Sequence, residues 1–135
     1  MNNVIYDLVG CYNTVTDGGR YLAPHFQVRE FASKDGARPV FIHPVIPEVC
    51  ELVRIKNGPF SPNSAYRTVA HNNAVGGAAN SLHLFGRAVD IPAIKMTPKE
   101  LYDYLCELFP NDAEIIIYSW GCHLGITARK SRLQG

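Results

Sequence analysis

The segment Ser81–Asp90, SLHLFGRAVD, decides how the rest of the chain is interpreted. It places His83 and Asp90 seven residues apart, with Gly86 between them to permit a sharp turn. The run Ala88–Pro92 (AVDIP) predicts a short β-strand that ends at the proline. Alternation along this strand puts Ala88 and Asp90 on one face and Val89 and Ile91 on the face toward the core. Asp90 is then a carboxylate on an otherwise apolar strand, where burial without a partner is costly.

A cation beside Asp90 would remove that cost, and two histidines are candidates for further ligands of the same cation. His83 precedes the strand, and His123 lies on a later predicted strand between Cys122 and Leu124. Two neutral imidazoles and one carboxylate suit Zn²⁺, and three protein ligands leave one position open for water, as in catalytic sites. Each residue also has a plainer explanation, as a structural histidine or an aspartate that accepts a backbone hydrogen bond. Spacing alone leaves both explanations open.

The surrounding sequence predicts an α+β fold, with a small antiparallel sheet and flanking helices. Helices are predicted over about 47–57 and from Thr97 to Phe109, where Pro98 and Glu100 complete a capping box. Strands are predicted at 25–31, 114–118 and 122–127, a strand or extended segment at 60–67, and a polar loop at 71–81. Residues 1–24 are predicted to be a loosely organised N-terminal extension, 25–128 the domain, and 129–135 a basic, frayed tail.

Composition excludes several classes of protein. A chain of 135 residues with 47% hydrophobic and 19% charged residues is an ordinary single globular domain. Its net charge of +1 lacks the basic excess of nucleic-acid or anionic-membrane binders. No apolar run approaches the roughly 20 residues of a membrane span. The N-terminus does not resemble a signal peptide, so we expect synthesis in the cytoplasm. The four scattered cysteines form no CxxC pair and are expected to be free thiols.

The central segment also resembles a known family, the zinc D-Ala-D-Ala carboxypeptidases of bacteria and phages. The resemblance extends over about residues 25–127, from HFQVREFASKDG to Trp120-Gly-Cys-His123. The family pattern is a Ser-Gly-Tyr-Arg-like segment, an Asn, a Gly-Gly pair, and Ser-x-His-x-x-Gly-x-Ala-x-Asp. The matching residues are Ser64-Ala65-Tyr66-Arg67, Asn72, Gly76-Gly77 and Ser81 through Asp90. The fold this implies is the small α+β fold shared with peptidoglycan endopeptidases and the hedgehog signalling domain.

The resemblance assigns expected roles to individual residues. His83, Asp90 and His123 match the zinc ligands of the family. Arg67 matches the arginine that holds the substrate carboxylate or stabilises the oxyanion, a task suited to a permanently charged, bidentate guanidinium. Ser81 is expected to bind substrate or to stabilise its turn, and Trp120 to contact substrate or to pack.

The residue expected to act as general base is not where the family usually has it. Relatives carry a glutamate, aspartate or histidine two to six positions before the final histidine, and residues 117–121 contain none. Tyr118 lies in this window, but a phenol is a poor proton acceptor at neutral pH. Glu114 lies nine residues before His123 and is the nearest preceding carboxylate.

The resemblance therefore predicts a zinc peptidase that cleaves peptidoglycan stem peptides, as a D-Ala-D-Ala carboxypeptidase or an L-Ala-D-Glu endopeptidase. Action in the periplasm or cell wall is expected, and the architecture suits a phage lysis enzyme that reaches the wall through a partner pore protein. One alternative is a catalytically weakened domain of the same fold that binds zinc and a peptide or protein partner. Another is a metal-free structural protein. Oligomeric state is not predicted.

Overall fold

A four-stranded sheet forms the centre of the fold in the computed structural model, which describes residues 4–135. Its strands are β5 (Ala88–Pro92), β6 (Glu114–Tyr118), β7 (Gly121–Gly125) and β8 (Ser131–Gln134), in the order β5-β7-β6-β8. β7 pairs antiparallel with both β5 and β6, whereas β8 runs parallel to β6. The predicted α+β fold with an antiparallel sheet is confirmed, and β8 is an added parallel edge.

Two smaller strand pairs and four helices surround this sheet. β1 pairs antiparallel with β4, and β2 pairs antiparallel with β3. The bounds are β1 Gly10–Asn13, β2 Tyr21–Ala23, β3 Phe26–Gln27, β4 Pro39–Ile42, α1 Thr14–Asp17, α2 Val45–Asn57, α3 Val69–Ala74 and α4 Pro98–Leu108, with 3-10 helices at Val28–Phe31 and Leu82–Phe85. None of the helices among residues 4–135 has the length and apolar character that crossing a bilayer requires.

Helix α4 forms where its sequence signals predict it and covers one face of the sheet. The Thr97 hydroxyl accepts a hydrogen bond from the Glu100 amide, and the Glu100 carboxylate accepts one from the Thr97 amide. This capping box satisfies two amides that the first turn leaves unpaired. Leu101 and Leu105 are fully buried, and α4 packs against β6 and β7. On the strand side, Val89 and Ile91 of β5 enter the same core, as the alternation predicts.

Three local predictions differ from the structure. The strand predicted at 25–31 is limited to β3, because the Glu30 carboxylate accepts a hydrogen bond from the Gln27 amide and closes a 3-10 turn. Residues 60–67 make only an isolated bridge, from Ser64 to Asp90. The polar loop at 71–81 begins as α3, since the Thr68 hydroxyl accepts from the His71 amide and caps the helix.

The expectation of two loosely organised ends is wrong for the described residues. In the N-terminal segment, β1 and β2 pair with strands of the main body, while residues 1–3 lie outside the described part of the chain. The C-terminal residues 131–134 form β8 instead of a frayed tail. Arg132 holds this strand down, because its guanidinium donates to the carbonyls of Phe109, Asp112 and Ala113.

Gly86 makes the turn that the sequence predicts between His83 and the strand. It has a φ of 69° and ends the 3-10 helix Leu82–Phe85. A Cβ at this position would lie 2.3 Å from the Phe41 carbonyl oxygen of β4. Glycine is therefore required both by the backbone conformation and by the close approach of β4. This turn carries the chain from His83 into β5.

Candidate active site

Three separate elements bring His83, Asp90 and His123 together. His83 lies on the 3-10 helix Leu82–Phe85, Asp90 at the middle of β5, and His123 at the middle of β7. Asp90 and His123 are direct cross-strand partners in the β5–β7 register. Residues directly opposite each other in an antiparallel pair have close Cβ atoms, so the sheet itself brings these two side chains together.

The donor atoms of the three side chains converge on one point. One ligand atom from each residue lies within 4.8 Å of those of the other two. Asp90 Oδ1 is 3.2 Å from His83 Nε2 and 3.0 Å from His123 Nδ1. All three residues are buried, with relative exposures of 2% for His83, 9% for Asp90 and 8% for His123. This is a buried carboxylate between two imidazoles, as the sequence predicts.

The backbone fixes the orientation of His83. Its Nδ1 lies 2.6 Å from the Ala65 carbonyl oxygen, which can only accept, so Nδ1 carries a proton and donates. In the neutral ring Nε2 is then the free acceptor, and it is the nitrogen that faces Asp90. An outer hydrogen bond of this kind is what sets ring orientation and tautomer in metal-binding histidines.

Glu114 orients His123 in the corresponding way. Its Oε1 lies 2.7 Å from His123 Nε2, while Nδ1 of the same ring faces Asp90. In the β6–β7 register Glu114 is paired with Gly125, which lies two residues after His123 in β7. A Cβ at Gly125 would lie 3.3 Å from Glu114 Oε1, so the glycine leaves room for the carboxylate. Adjacent strands therefore bring Glu114 to the site from nine residues away in the sequence.

Mutual hydrogen bonds shift the pKa values of these groups. Burial alone would raise the pKa of Asp90, but bonds with both histidines hold it well below its usual range. Burial alone would lower the pKa of His123, but bonds with Asp90 and Glu114 raise it to about 9. The bond with His123 is also the main cause of the lowered pKa of Glu114, to which the charge of Arg129 contributes. In the metal-free protein the cluster thus favours carboxylates beside a protonated His123.

Arg67 is held at the edge of the cluster by a small polar network. Its Nη2 lies 3.5 Å from Asp90 Oδ2, its Nε donates to Ser64 Oγ, and its Nη1 donates to Asn72 Oδ1. Asn72 is buried and also donates to the Ala78 carbonyl. A Cβ at Gly77 would lie 2.0 Å from Asn72 Oδ1, which explains the glycine at this position. The network presents a fixed guanidinium next to the three buried side chains.

These groups lie in a cleft with a volume of about 940 Å³. The predicted site residues all line it: Arg67, Ser81, His83, Asp90, Glu114, Tyr118, Trp120 and His123. Ser81 also stabilises its own turn, because its hydroxyl accepts a hydrogen bond from the His83 amide. Tyr118 and Trp120 stack face to face, with ring centroids 5.0 Å apart and an interplanar angle of 10°.

One wall of the cleft is formed by residues that were not predicted to belong to the site. It consists of four alternate residues from the C-terminal segment: Thr127, Arg129, Ser131 and Leu133. Alternation is the signal of an extended segment with one face toward a surface. It is obscured here by the basic composition, which favours an interpretation as a solvated tail. Because the C-terminal segment was predicted to be a basic tail, this wall of the cleft was not predicted.

Comparison with known families identifies the chain. The profile described as Peptidase M15 matches residues 24–124, well over half of the 135 residues. The chain belongs to the Peptidase M15 family. A search of curated proteins finds no match to this M15 peptidase. The family supports a metallopeptidase, in agreement with the resemblance found in the sequence, and the match ends before β8.

The residues present fit a metal ion of the kind that M15 peptidases require. Two imidazoles and one carboxylate with converging donor atoms are a ligand set of zinc hydrolases. Asp90 is a buried carboxylate that faces His83 Nε2, an acceptor in the neutral ring, and a cation between the two atoms satisfies both. His83, Asp90 and His123 could therefore hold the metal of this peptidase.

Proposed function

We propose that this M15 peptidase is a zinc-dependent hydrolase of amide bonds in peptidoglycan stem peptides, of the D-Ala-D-Ala carboxypeptidase or L-Ala-D-Glu endopeptidase type. The observation that carries the proposal is the convergence of His83, Asp90 and His123 in a cleft that also contains Arg67 and Glu114. Family membership supplies the reaction class, and these side chains supply the groups that amide hydrolysis needs.

His83 Nε2, Asp90 and His123 Nδ1 are the proposed zinc ligands. A zinc ion held by these residues would lower the pKa of a water to about 7 and would polarise the substrate carbonyl. The contacts from Ala65 and Glu114 orient the two rings toward the ion. The three proposed ligands are buried side chains carried by the 3-10 helix, β5 and β7.

Glu114 is the proposed proton acceptor. Its Oε1 is engaged by His123, whereas Oε2 makes no hydrogen bond to any residue among 4–135. A carboxylate with one anchored oxygen and one free oxygen can take a proton from the attacking water and pass it to the leaving amine. Tyr118 lines the same cleft and is the other catalytic candidate from the sequence. Its ring is stacked on Trp120, an arrangement better suited to contacting substrate than to accepting a proton.

Arg67 is proposed to bind negative charge on the substrate. Its guanidinium is held by Ser64 and Asn72 and is mostly screened from solvent, with 16% of its side chain exposed. A preorganised cation in a partly dry cleft stabilises either the C-terminal carboxylate of a stem peptide or the charge that develops on the scissile carbonyl. Ser81 and the Tyr118–Trp120 pair complete the proposed substrate-binding surface.

The test is zinc content together with digestion of stem peptides by the purified chain. We expect about one zinc per chain and release of a defined cleavage product, with both lost in His83→Ala. His25→Ala is the matched control, because His25 is exposed, pairs with Glu51 and does not line the cleft. Lysis of whole peptidoglycan is the further result expected if the protein acts in phage lysis.

Two outcomes would contradict the proposal. Stoichiometric zinc without cleavage of any stem peptide would favour the alternative, a zinc-binding domain that recognises a peptide or protein partner. No zinc even after supplementation would remove the metal site altogether.

A further inference from the structure

The C-terminal segment adds a second cationic group to the cleft. Arg129 lies between Gly125, where β7 ends, and Ser131, where β8 begins, and its side chain lines the cleft together with Ser131 and Leu133. This part of the wall lies beyond residue 124, where the family match ends. It is therefore a feature of this chain that the family assignment does not explain.

The wall is attached to the sheet, so the backbone on both sides of Arg129 is held in place. Ser131 and Gly135 donate backbone hydrogen bonds to the carbonyls of Ala113 and Ile117, one at each end of β8 and both toward β6. Arg132, whose side chain does not line the cleft, donates to carbonyls at the end of α4 and before β6. These contacts hold β8 against β6 along its whole length.

The Arg129 guanidinium is available for a ligand. Among residues 4–135 it has no hydrogen-bond or ion-pair partner, whereas Arg67 is held by Ser64, Asn72 and Asp90. It is near enough to Glu114 to interact with that carboxylate electrostatically. Arg129 is thus an exposed cation beside the reacting groups, with its donors unused.

Charge in the cleft favours an anionic substrate with more than one carboxylate. The two arginines of the lining balance its two carboxylates, Asp90 and Glu114. A divalent ion held by His83, Asp90 and His123 would leave an excess of about two positive charges. One carboxylate on the substrate meets Arg67 and leaves the charge of Arg129 unmatched.

We propose that Arg129 is a specificity-determining residue that binds a second carboxylate of the stem peptide, away from the scissile bond. This rests on the proposed function and deepens it: the preferred substrates are stem peptides whose side carboxylates are free, and peptides with these groups amidated are poorer substrates. A guanidinium forms paired, charge-assisted hydrogen bonds with a carboxylate and loses them when one oxygen is replaced by an amide nitrogen.

The experiment compares two synthetic stem peptides on the zinc-loaded full chain. In one, all carboxylates are free; in the other, every carboxylate except the C-terminal one is a carboxamide. We expect kcat/KM to be about 3- to 10-fold higher for the free acid, mainly through KM, and the preference to shrink at high salt. Arg129→Gln should remove the preference by slowing cleavage of the acid peptide only.

Lys130→Gln is the matched control, because Lys130 is adjacent, exposed and outside the cleft lining, and its loss changes net charge equally. Trp120 is the single tryptophan and lines the cleft, so its fluorescence reports peptide binding to the metal-free protein independently of cleavage. The acid peptide should bind more tightly than the carboxamide peptide, in line with its lower KM.

The outcomes separate this inference from the proposed function. Equal cleavage of both peptides by the wild-type chain, or an equal loss on both in Arg129→Gln, would overturn the role of Arg129 and leave the peptidase intact. If Lys130→Gln abolished the preference for the acid peptide as fully as Arg129→Gln, the preference would come from general electrostatic attraction and not from a contact with Arg129. Absence of cleavage of either peptide would count against the proposed function itself, while Trp120 fluorescence would still test the Arg129 contact.

Discussion

At the scale of single residues, Glu114 is proposed to perform two tasks, orienting His123 and accepting a proton. One oxygen accepts a hydrogen bond from His123 Nε2 at 2.7 Å, and the other has no hydrogen-bond partner among residues 4–135. The position depends on Gly125 opposite, which leaves space for the side chain. Orientation of a ligand and acceptance of a proton respond differently to substitution, so the two tasks can be separated.

Replacing Glu114 with glutamine should remove proton acceptance while keeping the contact with His123. The amide oxygen still accepts from Nε2, so we expect zinc content to be retained and kcat to fall about 100- to 10,000-fold. Glu114→Ala also removes the contact and should weaken zinc binding by about 10- to 100-fold. Zinc titration and peptide hydrolysis measure the two effects, with Glu48→Gln, an exposed site on α2, as control. Full activity in Glu114→Gln would exclude it as the base.

The cysteine side chains should differ sharply in reactivity. All four are free thiols, with Cys11 exposed and Cys50 and Cys122 buried. Burial raises the pKa of Cys50 far above its ordinary value and that of Cys122 to about 12, so neither forms the reactive thiolate at neutral pH. In the native protein a disulfide reagent should titrate Cys11 first, and Cys50 and Cys122 only after denaturant is added. Cys106 is of intermediate exposure, so rapid labelling of Cys50 or Cys122 in the Cys11→Ser, Cys106→Ser variant is the result that would contradict this assignment.

At the scale of elements, the start of α2 depends on a neutral histidine. His43 Nε2 donates to the Ile5 carbonyl at 2.6 Å, and Nδ1 accepts from the Val45 amide at the first turn. The first amides of a helix have no partner within the helix. Here His43 supplies an acceptor for one of them, although Pro44 occupies the cap position. Burial lowers the pKa of His43, because a charged ring would be desolvated and would lose its acceptor nitrogen.

This contact predicts a loss of stability on the acid side of neutrality. The folded pKa lies below the unfolded value of about 6.5, so the unfolded state takes up the proton first. The contribution of His43 is therefore complete above about pH 6.5 and is lost as pH falls through the folded pKa. His43→Asn retains an acceptor for Val45 without titrating, and urea unfolding between about pH 7 and pH 5 should show a smaller pH slope. An unchanged pH slope in His43→Asn would refute the prediction.

At the scale of the whole molecule, the proposed metal site joins parts of the chain that are far apart in sequence. A ligand that binds the 3-10 helix, β5 and β7 at once stabilises only the folded state. Zinc at about 100 times its Kd should raise the free energy of unfolding by about 2.7 kcal/mol. This corresponds to a Tm increase of roughly 10 °C for a domain of this size.

Calorimetry with and without EDTA measures the shift. Magnesium, which prefers an all-oxygen octahedral site, is the control ion and should have little effect. A Tm that does not respond to zinc in the wild-type chain would mean that the three side chains do not hold the ion.

Much of this architecture could be predicted because its signals are local. The Thr97–Glu100 capping box involves four consecutive residues, and the alternation that predicts β5 involves five. The family resemblance then connects Ser81–Asp90 with His123 and Arg67, which no local pattern relates. These are the parts of the site where residue type and spacing carry the information.

The remaining features depend on contacts between segments distant in sequence. The contact of Glu114 with His123 exists because β6 lies beside β7 in one particular register, and the ordered end of the chain exists because β8 pairs with β6. A basic tail and an ordered wall have the same composition; only the carbonyls available to Arg132 and the free edge of β6 distinguish them. Residue type and spacing in the sequence, with the family resemblance for His123, thus determined the proposed ligands and the elements that carry them. Strand pairing decided the positions of Glu114, the proposed proton acceptor, and of Arg129, because pairing energy depends on both partner strands and neither segment encodes it alone.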